Sequence, residues 1–404
     1  MKTPHLLNLF ASAYLSFILS TPATAQLTVV GSMPASSLPG GTIVLAGDTV
    51  DNVLIPRAGG SLPAVPAAPA TNLGAFDIVI APGSALSGNP AALAAFNRAA
   101  QAWEARISDP ITVTINADLA SLASGIIGST SAVTIQAGYT TIRDRLVADA
   151  AADSGDAITA SLPTAAQFLA TIPSGSTLDG SLLGTKANLK AIGFSNLDTS
   201  FGATDATITF STNFAFDFDN SDGVTPGFMD FETVATHEIG HALGFISSVD
   251  GVNAGDTSIA PYLLDLYRFA NNTADDPGSA AEFAAFTRNL VPGVDAITDQ
   301  IFGTPSEWRM STGLNNGTFS GTDGRQASHW KADELTGEYI GMMDPTLAFG
   351  VVQALTEADF RSLDLIGYDI VTVPEFSTST FGIFAALAGI ALPRRRAGAA
   401  RRQL

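Results

Sequence analysis

Hydrophobic residues recur along this 404-residue chain in two periods. Spacing near 3.6 marks helices, and strict alternation marks half-buried strands. Asp77 to Ile80 reads as a strand. Pro90 to Arg106 reads as an amphipathic helix, with Leu93, Phe96, Ala100 and Trp103 on one face and Pro90 in the first turn. Ile111 to Ile115 alternates as a strand does. The spacing then predicts helices over Ile142 to Ala151 and Ala165 to Ala170, and one or two strands within Ala206 to Phe218. Asp230 to Leu243 predicts a helix, with Asp230 as its N-cap and Gly244 as its terminator. Pro261 to Ala270 carries a helix-like pattern. A strand, a helix, more strands and a further helix give the order of an α+β fold. Ahead of it, residues 26–73 are rich in Gly, Pro, Ala and Ser, with β-like runs such as Thr42 to Leu45. They read as a loosely ordered lead-in or small pro-segment.

The two ends break this pattern. Lys2, an apolar stretch from Leu6 to Leu19 and Ala23-Thr24-Ala25 before Gln26 have the order of a secretory signal peptide over residues 1–25. At the other end, an apolar run from Phe381 to Leu392 precedes Arg394, Arg395, Arg396, Arg401 and Arg402. Such a run suits transient membrane association, with the arginines on the cytoplasmic side.

Charge and cysteine content narrow the chemistry. The formal net charge is -19. Without residues 1–25 and 373–404, the body keeps 13 Lys and Arg against 37 Asp and Glu, a charge of -24. Such a surface repels phosphate backbones and excludes nucleic acid as a partner. There is no cysteine, so neither disulfides nor thiolate ligands are available. Any metal must be held by His, Asp and Glu. The chain has four histidines, and His5 lies in the leader. A run of Asp217, Asp219, Asn220 and Asp222 has the composition of a Ca2+ site but not the spacing of the twelve-residue calcium loop, so a solvated turn is the preferred reading.

The other three histidines carry the chemistry. In THEIGHALGF, Thr236 to Phe245, His237 and His241 stand four apart on the predicted helix and project from one face. Two imidazoles so placed can share a zinc ion, while Glu238 reaches a water on that ion as general base. Catalytic zinc takes a third protein ligand and keeps one open position. The common extended motif places a histidine at position 247, where this chain has Ser247. The candidates left are His329, which lies 88 positions after His241, and an acid such as Asp250 or Glu232. His329 is preferred.

These motifs, followed by Ser328-His329-Trp330 and then by IGMMDP at Ile340 to Pro345, resemble the leishmanolysin branch of the metzincin peptidases. The resemblance covers about residues 76–371 and implies a two-lobed zinc endopeptidase acting on proteins or peptides. In that reading the strand within Ala206 to Phe218 is expected to form the cleft rim and to pair with an extended substrate. It implies a mixed sheet and active-site helix in an N-terminal lobe (74–245), an insertion (246–327), and a mostly irregular or helical C-terminal lobe (328–372). It further implies His237, His241 and His329 as zinc ligands, Glu238 as the catalytic base, Gly244 at the sharp turn after the helix, and Met343 as an apolar floor beneath the metal, with Met342 second. LTEADFRSLDLIGYDIV resembles that group's closing helix and final strand. That group is cysteine-rich and this chain is not. The tail over 373–404 resembles the PEP-CTERM sorting signal of Gram-negative bacteria through Val373-Pro374-Glu375, although Phe376 stands where that pattern has a second proline. It implies an exosortase-type processing partner and a cell-surface or secreted location. The rival readings are a non-catalytic surface or matrix protein with a structural metal and, ranked lowest, a zinc hydrolase of non-peptide amides.

Overall fold

A computed structural model of the chain describes residues 76–151, 158–272, 276–298 and 308–371, together with two lead-in strands, Thr28–Val29 and Thr42–Gly47. The leader and tail read from the sequence lie outside the described residues. Among those residues, no helix is long and apolar enough to cross a membrane.

The fold is mixed α+β. Six strands form the main sheet in the order Thr346–Leu347, Thr42–Gly47, Ile126–Ala132, Ala206–Ser211, Thr112–Ala120 and Asp77–Pro82. Five run in one direction. Ile126–Ala132, the counter-strand, runs antiparallel to both of its neighbours. Alternation dictates what each strand buries: Val113, Ile115 and Ala117 share one face of their strand, and Ala206, Ile208 and Phe210 share one face of theirs.

Two helices, Pro90–Glu104 and Phe231–Leu243, pack on each other. The first starts where the sequence predicts, with the Asn89 side chain accepting from the Ala92 amide. It buries Ala92, Ala95, Phe96, Ala99, Ala100 and Trp103. Its small residues let the second helix approach closely, and Phe96, Phe210 and Phe231 interlock behind it with ring centroids 5.1 and 4.6 Å apart. Trp103 reaches furthest: its indole Nε1 donates to the Thr236 carbonyl at 3.0 Å.

Residues 246–327 are tied back into the body. Ser258–Ile259 pairs with Thr177–Leu178, and Arg288–Asn289 pairs with Ala170–Thr171. Arg268–Ala270, Ala296–Thr298 and Trp308–Met310 form a small antiparallel sheet.

Four local expectations are corrected. Ala165 to Ala170 is not a helix: Pro163 and Pro173 bracket the stretch, Thr164 makes a turn with Gln167, and Ala170 enters the strand pair. Pro261 to Ala270 is a 3-10 turn, Leu264–Tyr267, followed by a strand. There the Asp265 carboxylate accepts from Ser247 Oγ, the Ser248 amide and the Tyr262 amide, and these bonds override the helical pattern. The final strand is reduced to one bridge between Ile107 and Ile370. Ala206–Ser211, expected to rim a cleft within the Ala206 to Phe218 stretch, is interior, with both edges paired, and has no free edge to offer a peptide.

Trp103→Ala removes a fully buried side chain and the partner of a buried carbonyl. It is expected to destabilise the chain by about 3–5 kcal/mol in urea unfolding. A loss under about 1 kcal/mol would mean that this contact does not hold the helix pair.

Candidate metal centre

Phe231–Leu243 is a helix without a wet side: apart from Glu232, every residue is buried. Such a helix belongs inside a protein. Its start is fixed by Asp230, which accepts from the Thr233 amide at 3.0 Å and from Thr233 Oγ1 at 2.6 Å. Its end is fixed by Gly244, whose φ of 123° is open to glycine and strained for other residues. The turn there brings the Phe245 amide back to the Gly240 carbonyl and leaves the Phe245 carbonyl facing His241.

Three rings converge at one end of this helix. His237 Nε2 and His241 Nε2 are 3.0 Å apart, and each lies 3.2 Å from His329 Nε2. Their partners on the far side decide what these distances mean. His237 Nδ1 meets the Met342 carbonyl at 2.7 Å, His241 Nδ1 meets the Phe245 carbonyl at 2.8 Å, and His329 Nδ1 meets the Gln326 carbonyl at 3.1 Å. A carbonyl only accepts, so each Nδ1 carries the proton. Burial pushes the His237 imidazole down to about 4 and holds His241 and His329 well below the ordinary value, so all three rings are neutral near pH 7. Each Nε2 is then a bare lone pair. Three lone pairs at this separation repel one another, with no proton between them. A divalent cation turns that repulsion into coordination. Nitrogens about 2.0–2.1 Å from a tetrahedral zinc lie about 3.3–3.4 Å apart, close to the observed spacing. The residues fit a zinc ion.

The third ring comes from outside the helix, and Asp250 holds its segment there. The Asp250 carboxylate accepts from the Ala327 amide at 2.6 Å, the Ser328 amide at 3.0 Å and the Ser328 hydroxyl, while Ser328 Oγ accepts from the Ser247 amide at 2.9 Å. Asp250, a rival third ligand in the sequence, thus positions the preferred one. The other rival, Glu232, pairs with Arg98 at 2.8 Å.

The methionine pair packs against the site helix. A Cβ on Gly240 would sit 2.4 Å from the Met343 sulfur, so the helix takes this methionine only where it carries glycine. Met342 contributes the carbonyl that His237 uses. Both are held by Asp359, a residue with no evident link to the motif in the sequence. Its carboxylate accepts from the Met342 amide at 2.8 Å, the Met343 amide at 3.3 Å, Trp330 Nε1 at 2.8 Å and the Thr356 amide at 2.8 Å. One buried carboxylate therefore locks the residue after His329, the methionine turn and the cap of the closing helix, Glu357–Leu365.

Glu238 leaves the helix on the neighbouring side, toward the counter-strand. Thr130 Oγ1 lies 2.5 Å from its Oε2. The Asp217 run makes turn bonds: Asp217 accepts from Thr225, and Asp219 from the Ser221 amide. Among the described residues, a second set of carboxylates, Asp333, Glu334 and Asp344, also converges, with Glu334 and Asp344 both accepting from Thr346.

No protein-family model, no curated protein and no solved structure matches this chain.

Asp250→Ala and Asp359→Ala each strand buried amide donors, at about 1–3 kcal/mol per group. Each is expected to weaken zinc binding by about 10–100-fold in competition with a chelator. Unchanged zinc affinity in both would show that these carboxylates do not organise the triad.

Proposed function

We propose that this chain is a zinc-dependent endopeptidase of metzincin type, with His237, His241 and His329 as metal ligands and Glu238 as the general base. The observation that carries the reading is the convergence of three bare Nε2 lone pairs beside a buried glutamate. The architecture supports it in its order: a mixed sheet, a site helix, a displaced third histidine and a methionine packed under the helix. A closed structural zinc site takes four protein ligands, whereas three converge here among the described residues, which favours catalysis over a structural metal.

Bound there, zinc supplies Lewis acidity toward a carbonyl and makes water easier to deprotonate. The protein's own groups do the rest. Carbonyls of Met342, Phe245 and Gln326 fix the three rings in the tautomer that presents Nε2. Thr130 restrains Glu238 at Oε2. Glu238 takes a proton from the attacking water and returns it to the departing amine. Gly244 ends the helix so that the following chain turns away and Phe245 can serve His241. In this reading residues 74–245 and 328–372 form two lobes about the site, the leader at 1–25 exports the chain, and the tail at 373–404 holds it at the cell envelope until an exosortase-type enzyme processes it.

The purified chain is expected to bind one zinc and cleave casein, to lose cleavage to a chelator and to regain it with zinc. Glu238→Gln should keep the zinc and lower cleavage by about 10²–10⁴-fold. His329→Ala should lose the zinc. Casein cleavage by Glu238→Gln at the wild-type rate, or a full zinc complement in His329→Ala, contradicts the assignment of those roles.

A further inference from the structure

A general base must hold its oxygen within hydrogen-bond reach of the proton it takes. Glutamate is poorly suited to that by itself. Three rotatable bonds separate the Glu238 carboxylate from the backbone of the site helix, and that freedom has to be removed by something outside the helix. The contacts that remove it come from the counter-strand, Ile126–Ala132.

Residues two apart on a strand share a face. On Ile126–Ala132 one face presents Gly128 and Thr130 to Glu238. Thr130 Oγ1 lies 2.5 Å from Glu238 Oε2 and 2.9 Å from the Glu238 carbonyl, so one hydroxyl spans the side chain and the main chain of the same residue. It carries one proton, which it can donate to either oxygen. Threonine is branched at Cβ and stiff about χ1, which makes the hydroxyl a fixed point. Gly128 completes the seat by what it lacks. A Cβ there would stand 2.4 Å from Glu238 Oε1 and 2.9 Å from both Cγ and Cδ. Its φ is not positive, so the backbone alone would admit any residue. Glycine weakens a strand interior, and here it marks the close approach of the carboxylate. Both positions are held in register by Ala206–Ser211, with Ile208 opposite Thr130 and Phe210 opposite Gly128. Thr130 is 1% exposed and Glu238 0%, so bulk solvent does not compete for these contacts.

We infer that Gly128 and Thr130 are a positioning pair for the general base. The Thr130 hydroxyl fixes Oε2 against the site helix, the missing side chain at 128 makes room for Oε1, and together they set the angle at which the carboxylate meets the attacking water. This rests on the peptidase reading above. The seat grips the base and supplies no metal ligand, so it acts on turnover and leaves zinc and substrate binding alone. Misplacing a reacting group by about 1 Å can cost on the order of 10²-fold in rate, which sets the scale of the effect.

The test uses the full zinc-loaded chain with casein as substrate. Thr130→Val keeps the branched shape and removes the hydroxyl, and Thr130→Ser keeps the hydroxyl. Gly128→Ala keeps the threonine and pushes on the far end of a flexible side chain, so it shifts the carboxylate with little demand on the fold. Zinc content and KM are expected to stay at the wild-type values in all three. The kcat should fall about 10–100-fold in Thr130→Val and in Gly128→Ala, and Thr130→Ser should regain most of it. In Glu238→Gln, adding Thr130→Val should lower the residual rate no further, because the base it positions is gone. Wild-type kcat in Thr130→Val or Gly128→Ala, a Thr130→Ser as slow as Thr130→Val, or an undiminished effect of Thr130→Val in Glu238→Gln overturns the positioning role and leaves the peptidase reading standing. Zinc lost together with kcat in Gly128→Ala makes the pair structural and overturns it too. If Thr130→Val does not fold, Gly128→Ala decides alone. No cleavage by the wild type at full zinc overturns the peptidase reading, and this proposal with it.

Discussion

Three uncharged imidazoles aim unprotonated nitrogens at one point inside the protein, and the rest of the structure has to oppose their mutual repulsion. Without a cation they would drift apart, because no proton is available to link them. The fold resists that drift by fixing each ring from behind. Each Nδ1 is anchored to a main-chain carbonyl in a different element: the methionine turn for His237, the end of the site helix for His241 and the loop before His329 for itself. Backbone anchors tie ring orientation to the path of the chain, so the site is as rigid as the turns that supply the carbonyls.

Two buried carboxylates hold those turns. Asp250 grips the amides before His329 from the segment that follows the site helix, and Asp359 grips the methionine turn from the closing helix. Burial raises the pKa of both, to about 6 for Asp250, and each is compensated by several amide or hydroxyl donors. The large displacement of the third histidine in sequence is therefore bridged locally. His329 returns to the helix because the residues just before it are bonded to residues just after His241.

Much of the site could be read from the chain because short-range rules fix it. Helical spacing alone sets His237 and His241 on one face, Asp230 and Gly244 mark the helix ends, and the scarcity of histidine points to His329. Asp77–Pro82, Pro90–Glu104 and Ala206–Ser211 were legible for the same reason, since burial on one face leaves a period in the sequence, whereas Ile126–Ala132 buries Ile127 to Thr130 in succession, leaves no such period and was missed. What stayed hidden was long-range. The capping pattern at Thr356 and Asp359 marks a helix start, but nothing in it says that the same carboxylate holds Met342, Met343 and Trp330. The helical pattern of Pro261 to Ala270 gave way to bonds converging on Asp265 from Ser247 and Ser248, a contact with no local signature. Strand order is likewise invisible in one sequence, so nothing local showed that Ala206–Ser211 lies inside the sheet, between Ile126–Ala132 and Thr112–Ala120, and not at a rim.

X-ray absorption at the zinc edge, on the zinc-loaded chain and on His329→Ala carried through the same loading and dialysis, addresses the convergence itself. The account predicts three imidazole nitrogens at about 2.0–2.1 Å in the wild type and no retained zinc in the variant. A zinc shell built from carboxylate oxygens, or zinc retained in both proteins with the same shell, would contradict it.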